Sequence, residues 1–162
     1  MGEIVPLHSR GRSWPDQAGQ LDRTGQFVLR SGLRPWVAAM RCGVDPLSEV
    51  RETIAEAGGP AEVAGPINDL MYGVAMQSVR EIVIGCPHCT SLSPDETLLL
   101  HALAEAARGA DHPAALLAPL VRPVALSLLD FPLISLARGL GAAGWRFHRR
   151  ALPPPNGSDS GR

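Results

Sequence analysis

The stretch Gly85-Cys86-Pro87-His88-Cys89-Thr90-Ser91-Leu92-Ser93-Pro94-Asp95-Glu96 joins a C-x-x-C thiol pair to the clearest helix start in the chain. Ser93 is placed to accept a hydrogen bond from the amide of Glu96, and Glu96 to reach back to the amide of Ser93, a capping box. Pro94 falls at the first helical position, where a missing N–H costs nothing. Asp95 and Glu96 put negative charge at the positive end of the helix dipole. The thiol pair therefore lies in a turn just before a strongly specified helix, predicted over residues 94–108 and ended by Gly109. Leu99, Leu100, Ala102, Leu103, Ala106 and Ala107 form its inner face, and the neighbours Thr97, Glu105 and Arg108 put His101 on its polar side.

Toward the N-terminus the same device recurs, a small or capping residue followed by proline. Asp45-Pro46 reads as N-cap and first helical residue, and Leu47, Val50, Ile54 and Ala57 follow along one face until Gly58-Gly59. Pro35 is expected to open a short helix through Met40 that stops at Gly43, and Pro60 a single turn before Gly65-Pro66 restarts the chain. The segment 67–83 is the longest helix expected. Ile67, Leu70, Met71 and Val74 form one apolar stripe and Tyr72, Met76, Val79 and Val83 a second, which predicts a central helix buried on most of its circumference. Glu81 to Ile84 is read as its last turn, although β-branched residues there also suit a strand. Beyond Gly109, Pro113, Pro123 and Pro132 each head an apolar segment and are expected to separate three short helices.

The fold class that follows is all-α, a compact bundle of about five to seven short helices. It is expected over residues 32–150, with residues 1–31 a flexible arm in which Gln26 to Leu29 order against the domain, and 151–162 a disordered tail. Trp14 in the arm is expected to rest on the domain surface. The tail includes Pro153-Pro154-Pro155-Asn156-Gly157, and Trp145 to Arg150 reads as an amphipathic last turn.

Composition limits the function classes. A hydrophobic fraction of 45% suffices for a core, and aromatics are only 4%, so aliphatic residues and alanine must fill it. A net charge of −1 gives no general attraction to nucleic acid or to an anionic membrane. The 15 basic side chains are all Arg, which with abundant Ala, Gly and Pro fits a GC-rich bacterial genome. No N-terminal apolar run resembles a signal peptide, and prolines and charges interrupt the apolar C-terminal half, so a cytoplasmic protein without a transmembrane segment is expected. The 3 cysteines, an odd number, argue against a disulfide framework.

Cys86 and Cys89 admit three roles. As a metal half-site, two thiolates at this spacing suit tetrahedral zinc, and His101 stands near the usual Cys-to-His gap of a zinc finger. The second histidine is missing, because Ala104, Glu105, Ala106 and Ala107 occupy its place, so His112, His88 or Cys42 would have to complete the set. As a redox pair, thiols near a helix start have their thiolates favoured by the dipole, and His88 would add to that. The letters Cys-Pro-His-Cys are similar to the active site of disulfide-forming oxidoreductases of thioredoxin fold; that resemblance implies Cys86 as attacking thiolate and Cys89 as resolving thiol. It covers four residues and ends there, since that fold requires strands where residues 102–144 read as helix. As structural residues, the two cysteines simply pack a turn, the role favoured here because free Cys is among the most buried residue types.

No Ser/His/Asp order, H-E-x-x-H, phosphate-cradling glycine loop or paired-carboxylate motif is present. A helix-turn-helix reader over residues 46–79 would lack Arg on its second helix. The sequence thus favours a non-catalytic module that binds another protein, as a regulator or accessory subunit. The alternatives are a zinc module built on Cys86, Cys89 and His101, or a thiol–disulfide oxidoreductase. A binding role predicts an exposed apolar patch, expected on the segments after Pro113.

Overall fold

The computed structural model describes residues 14–148. Among these the chain is all-α, with α1 (Arg23–Val28), α2 (Arg34–Cys42), α3 (Pro46–Glu56), α4 (Ala64–Gln77), α5 (Pro94–Ala107) and α6 (Pro123–Ala142). Short 3-10 turns precede α1, α4 and α6. Among the described residues, extended pairing is confined to two isolated antiparallel bridges, Gln17 with Ser91 and Ser78 with Val121.

The capping signals act where the sequence places them. Ser93 accepts from the Glu96 amide and Glu96 from the Ser93 amide, while Asp45 accepts from the Ser48 amide. Gly43 and Gly109 take left-handed φ values of 69° and 84°, which carry the chain out of α2 and α5.

Two prolines act otherwise than expected. Pro35 does not open a helix. It lies inside a continuous run from α1 through a π-helical turn, Leu29–Leu33, into α2. Proline cannot donate to the carbonyl four residues back, Ser31, and Thr53 of α3 supplies the missing donor through its hydroxyl at 2.6 Å. The wider π turn makes room at that point. Pro132 likewise stays inside α6, whose 20 residues were expected as two helices divided there. The freed carbonyl belongs to Leu128 on the solvent side, and Leu129, Leu133, Leu136 and Leu140 are buried on both sides of the proline. Each buried leucine contributes about 1.5–3 kcal/mol, so together they outweigh the cost of roughly 3 kcal/mol for an interior proline. By length and composition α6 is apolar enough to cross a membrane; here that leucine face packs against α4 and α5.

The central helix also differs from expectation. α4 ends at Gln77, and residues 81–84 are neither helix nor strand. Within them the Val83 amide donates to Asp95 and the Val83 carbonyl accepts from Ser93, at the start of α5, so these groups make no helical bonds. Only the first α4 stripe, Ile67, Leu70, Met71 and Val74, is buried; Tyr72, Met76, Val79 and Val83 are exposed. The Trp36 indole donates to Asn68 Oδ1 at 2.9 Å and meets the edge of Tyr72 at 5.0 Å between centroids, tying α2 to α4.

The ordered domain starts earlier than residue 32. Leu21, Phe27, Val28 and Leu29 belong to the core: Phe27 and Val28 lie on α1, Leu21 just before it and Leu29 in the π-helical turn after it. After α6 the described residues 145–148 have no regular secondary structure and do not form the helical turn expected there, whose last residues, 149–150, lie outside the described ones. Trp145 stacks on Phe27 with centroids 4.4 Å apart, and the Thr24 hydroxyl donates to the Arg146 carbonyl at 2.7 Å. The expected tail 151–162 and most of the arm, 1–13, lie outside the described residues.

Candidate functional site

Segment 80–93 wraps the N-terminus of α5, and two consecutive carboxylates of that helix hold it. Asp95 receives both Nη atoms of Arg80, at 2.7 and 3.0 Å, and the Val83 amide at 2.7 Å. The hydrogen bonds from Arg80, more than its charge, keep the Asp95 carboxyl below the ordinary carboxylate value against the opposing effect of burial, and the Val83 amide adds to this. The Ser93 hydroxyl donates to the Val83 carbonyl while accepting from Glu96.

Glu96 is fully buried and is the hub of the region. Its Oε1 accepts from Arg34 Nε at 2.8 Å and from the Gly85 amide at 2.9 Å; its Oε2 accepts from the Ser93 amide at 2.9 Å and from Arg34 Nη2 at 3.2 Å. Arg34, also fully buried, gives two more donors to the carbonyls of Cys89 and of Ser91, the latter at 2.8 Å. A fork of five donors suits this pattern of one carboxylate and two carbonyls, and lysine could not reproduce it. Gly85 lets the backbone approach the guanidinium closely. A Cβ there would lie 3.0 Å from Arg34 Nη2. Residues 16–18 clamp the far side, with Ala18 donating to the Thr90 carbonyl and the Leu92 amide to the Asp16 carbonyl, each at 2.8 Å.

Between these anchors Cys86-Pro87-His88-Cys89 forms a tight turn closed by the Cys89 amide on the Cys86 carbonyl at 3.1 Å. The two sulfurs are joined as a disulfide. Cys86 and His88 are exposed and Cys89 is half-buried, and the Cys86 amide donates to Cys89 Sγ at 3.1 Å. Residues 90–93 separate this turn from α5, so the sulfurs do not cap the helix.

The structure brings Cys86 and Cys89 together and leaves His101 in other company. His101 lies within α5, with its ring 5.8 Å from that of the half-buried Trp14 and its Nε2 3.8 Å from a Glu105 oxygen. Among the described residues no group of three or more His, Cys, Asp or Glu side chains is arranged to hold a metal ion. Cys42 is a free, exposed thiol on α2, and the His112 ring meets Asp130 at 3.1 Å.

Sequence reading missed Arg34. Its signal was a lone cation inside the apolar run Leu33-Arg34-Pro35-Trp36-Val37, and Glu96 was credited with its capping and dipole roles but with no distant partner.

A second feature lies on the outer side of α6. Val124, Leu128 and Phe131, spaced by four and three residues, are 73%, 70% and 75% exposed. The Ser78–Val121 bridge draws the end of α4, with Met76 also 75% exposed, toward the start of this helix.

Compared with protein families, with curated proteins and with solved structures, the chain finds no match.

Proposed function

We propose that this chain is a non-catalytic, cytoplasmic bacterial module that binds another protein, as a regulator or accessory subunit, and that it docks through the outer face of α6. The observation that carries the reading is the stripe Val124, Leu128 and Phe131, which leaves three large apolar side chains in water on one helix face. Scattered exposed apolar residues need no explanation, whereas a contiguous row favours a binding surface. Burying each side chain on a partner would recover about 1.5–3 kcal/mol. Spacing of this kind fits a helix laid into an apolar groove, the anchors falling at i, i+4 and i+7. The occupant proposed is therefore an apolar groove of a partner protein, and the near-neutral net charge of −1 supports this over a polyanion.

The test is a photo-crosslinking residue placed at the exposed Ser127 in producing cells. A discrete adduct that disappears in Phe131→Asp and Leu128→Glu, with unchanged melting temperature in both, is the expected result. Concentration-dependent dimerisation in sedimentation, lost in the same variants, would replace the partner with a second copy. Adducts that persist in both variants would remove the reading. Zinc analysis of the same purified protein, reduced and oxidised, decides the metal alternative; stoichiometric zinc in the reduced form would favour the Cys86, Cys89 and His101 module.

A further inference from the structure

We propose that Cys86–Cys89 is a thiol–disulfide exchange site for exposed dithiols and disulfides, in which Cys86 is the sulfur attacked and Cys89 the one released. The proposal is independent of the α6 face, and because the exchange is a stoichiometric two-electron conversion of this chain's own cysteines it stands beside the non-catalytic binding role. Its direction rests on the asymmetry of the pair: Cys86 is exposed, while Cys89 is half-buried and receives the Cys86 amide on its sulfur at 3.1 Å. An incoming thiolate has access to Cys86. A leaving thiolate at Cys89 has a backbone donor already aimed at it, which lowers its basicity and makes it the better leaving group.

Reversibility rests on the scaffold. The turn is held by the Gly85 amide on Glu96, by the Cys89 and Ser91 carbonyls on Arg34, and by the Cys89 amide on the Cys86 carbonyl. None of these bonds passes through sulfur, so the reduced thiols stay poised to close again. The bridge spans a sequence separation of only 3 and ties no other element of the fold, so opening it releases little chain entropy. In a reducing cytoplasm, disulfides that form at all are usually transient and catalytic or redox-sensing.

The step balances as follows. A thiolate of an external dithiol attacks Cys86 Sγ; the S–S bond breaks, and its electron pair leaves on Cys89 Sγ, which takes a proton from water. The second thiolate of the donor attacks its own sulfur in the mixed disulfide, closing the donor's disulfide and releasing Cys86 Sγ, which is protonated in turn. Two electrons and two protons pass from the dithiol to the pair. The reverse sequence oxidises Cys86 and Cys89 at the expense of an external disulfide.

The test uses the full chain carrying Cys42→Ser, which removes the other exposed thiol. Native protein is equilibrated in reduced and oxidised glutathione mixtures, quenched in acid, and its thiols counted by mass after alkylation. Expected are a reversible two-electron conversion with unchanged far-UV circular dichroism and a trapped glutathione adduct on Cys86. Cys42→Ser/Cys89→Ser, with Cys86 alone, should react with an aromatic disulfide reagent about tenfold faster than Cys42→Ser/Cys86→Ser. A bridge that resists dithiothreitol until urea unfolds the chain would overturn the proposal, as would dithiols that glutathione disulfide cannot oxidise. An adduct mapped to Cys89, or equal reactivity of the two thiols, would overturn the assigned direction. Loss of the α6 crosslink leaves every one of these readouts unchanged.

Discussion

Replacing Arg34 by methionine removes one side of a fully buried ion pair and keeps much of the side-chain volume. In the native fold the Glu96 carboxylate has four donors: Arg34 Nε, Arg34 Nη2 and the amides of Gly85 and Ser93. Arg34→Met leaves the two amides, which are neutral, facing a buried negative charge, and strips the Cys89 and Ser91 carbonyls of their shared partner. Breaking a buried pair on one side costs about 3–5 kcal/mol. The two carbonyls lie near the surface of an exposed segment, where water can replace the guanidinium, so they add little. A loss of about 4 kcal/mol is a large part of the roughly 5–15 kcal/mol that holds an ordinary domain together. Removing both charges, in Arg34→Met with Glu96→Leu, should recover part of that loss, because no buried charge is then left alone. It cannot recover all, since the Gly85 and Ser93 amides lose their acceptor. The assay is urea unfolding of wild type, both single variants and the double variant, followed by circular dichroism at fixed redox state. A loss below about 1 kcal/mol in Arg34→Met, within the range of an ordinary surface change, would refute the assignment of this pair as the pin of segment 80–93. So would a double variant as unstable as the sum of the singles.

Two further outcomes follow from the same structure. A Cβ at Gly59 would lie 2.3 Å from Cζ of the Phe27 ring, which is itself stacked on Trp145, so Gly59→Ala should cost about 1–3 kcal/mol by thermal melting. Gly65→Ala meets open space in the first turn of α4 and should be neutral or gain up to about 1 kcal/mol; equal effects at both positions would contradict the packing described. The Asp95 carboxyl is held below its ordinary value of 3.8, chiefly by the Arg80 hydrogen bonds. A lowered folded-state value means stabilisation that is complete above the unfolded pKa of about 3.9 and lost as pH falls through the folded value. Wild type should therefore lose stability on acidification below about pH 4 more steeply than Asp95→Asn, which starts lower at neutral pH. Parallel acid limbs for the two proteins would exclude Asp95 as a contributor.

Local devices were legible in the chain because each is completed within a few residues. The Ser93–Glu96 capping box closes over three positions, Asp45 caps α3 through Ser48, and glycine ends α2 and α5. The all-α class follows from the same short-range periodicity. What the sequence alone determined was thus where α3 and α5 begin and end, and that a pair of cysteines lies in the turn before α5.

Tertiary structure decided everything that rests on distant partners. Arg34 and Glu96 are 62 positions apart, and nothing local marks them as a pair. Pro35 remains inside a helix because Thr53 satisfies Ser31, and Pro132 because leucines buried against α4 and α5 outweigh its missing hydrogen bond. The second α4 stripe is apolar yet exposed, since a hydrophobic side chain is buried only where another element arrives to cover it. Helix ends answer to hydrogen bonds made within one turn of backbone. Burial and charge pairing answer to which elements meet, and that is set by the free energy of the whole packed chain.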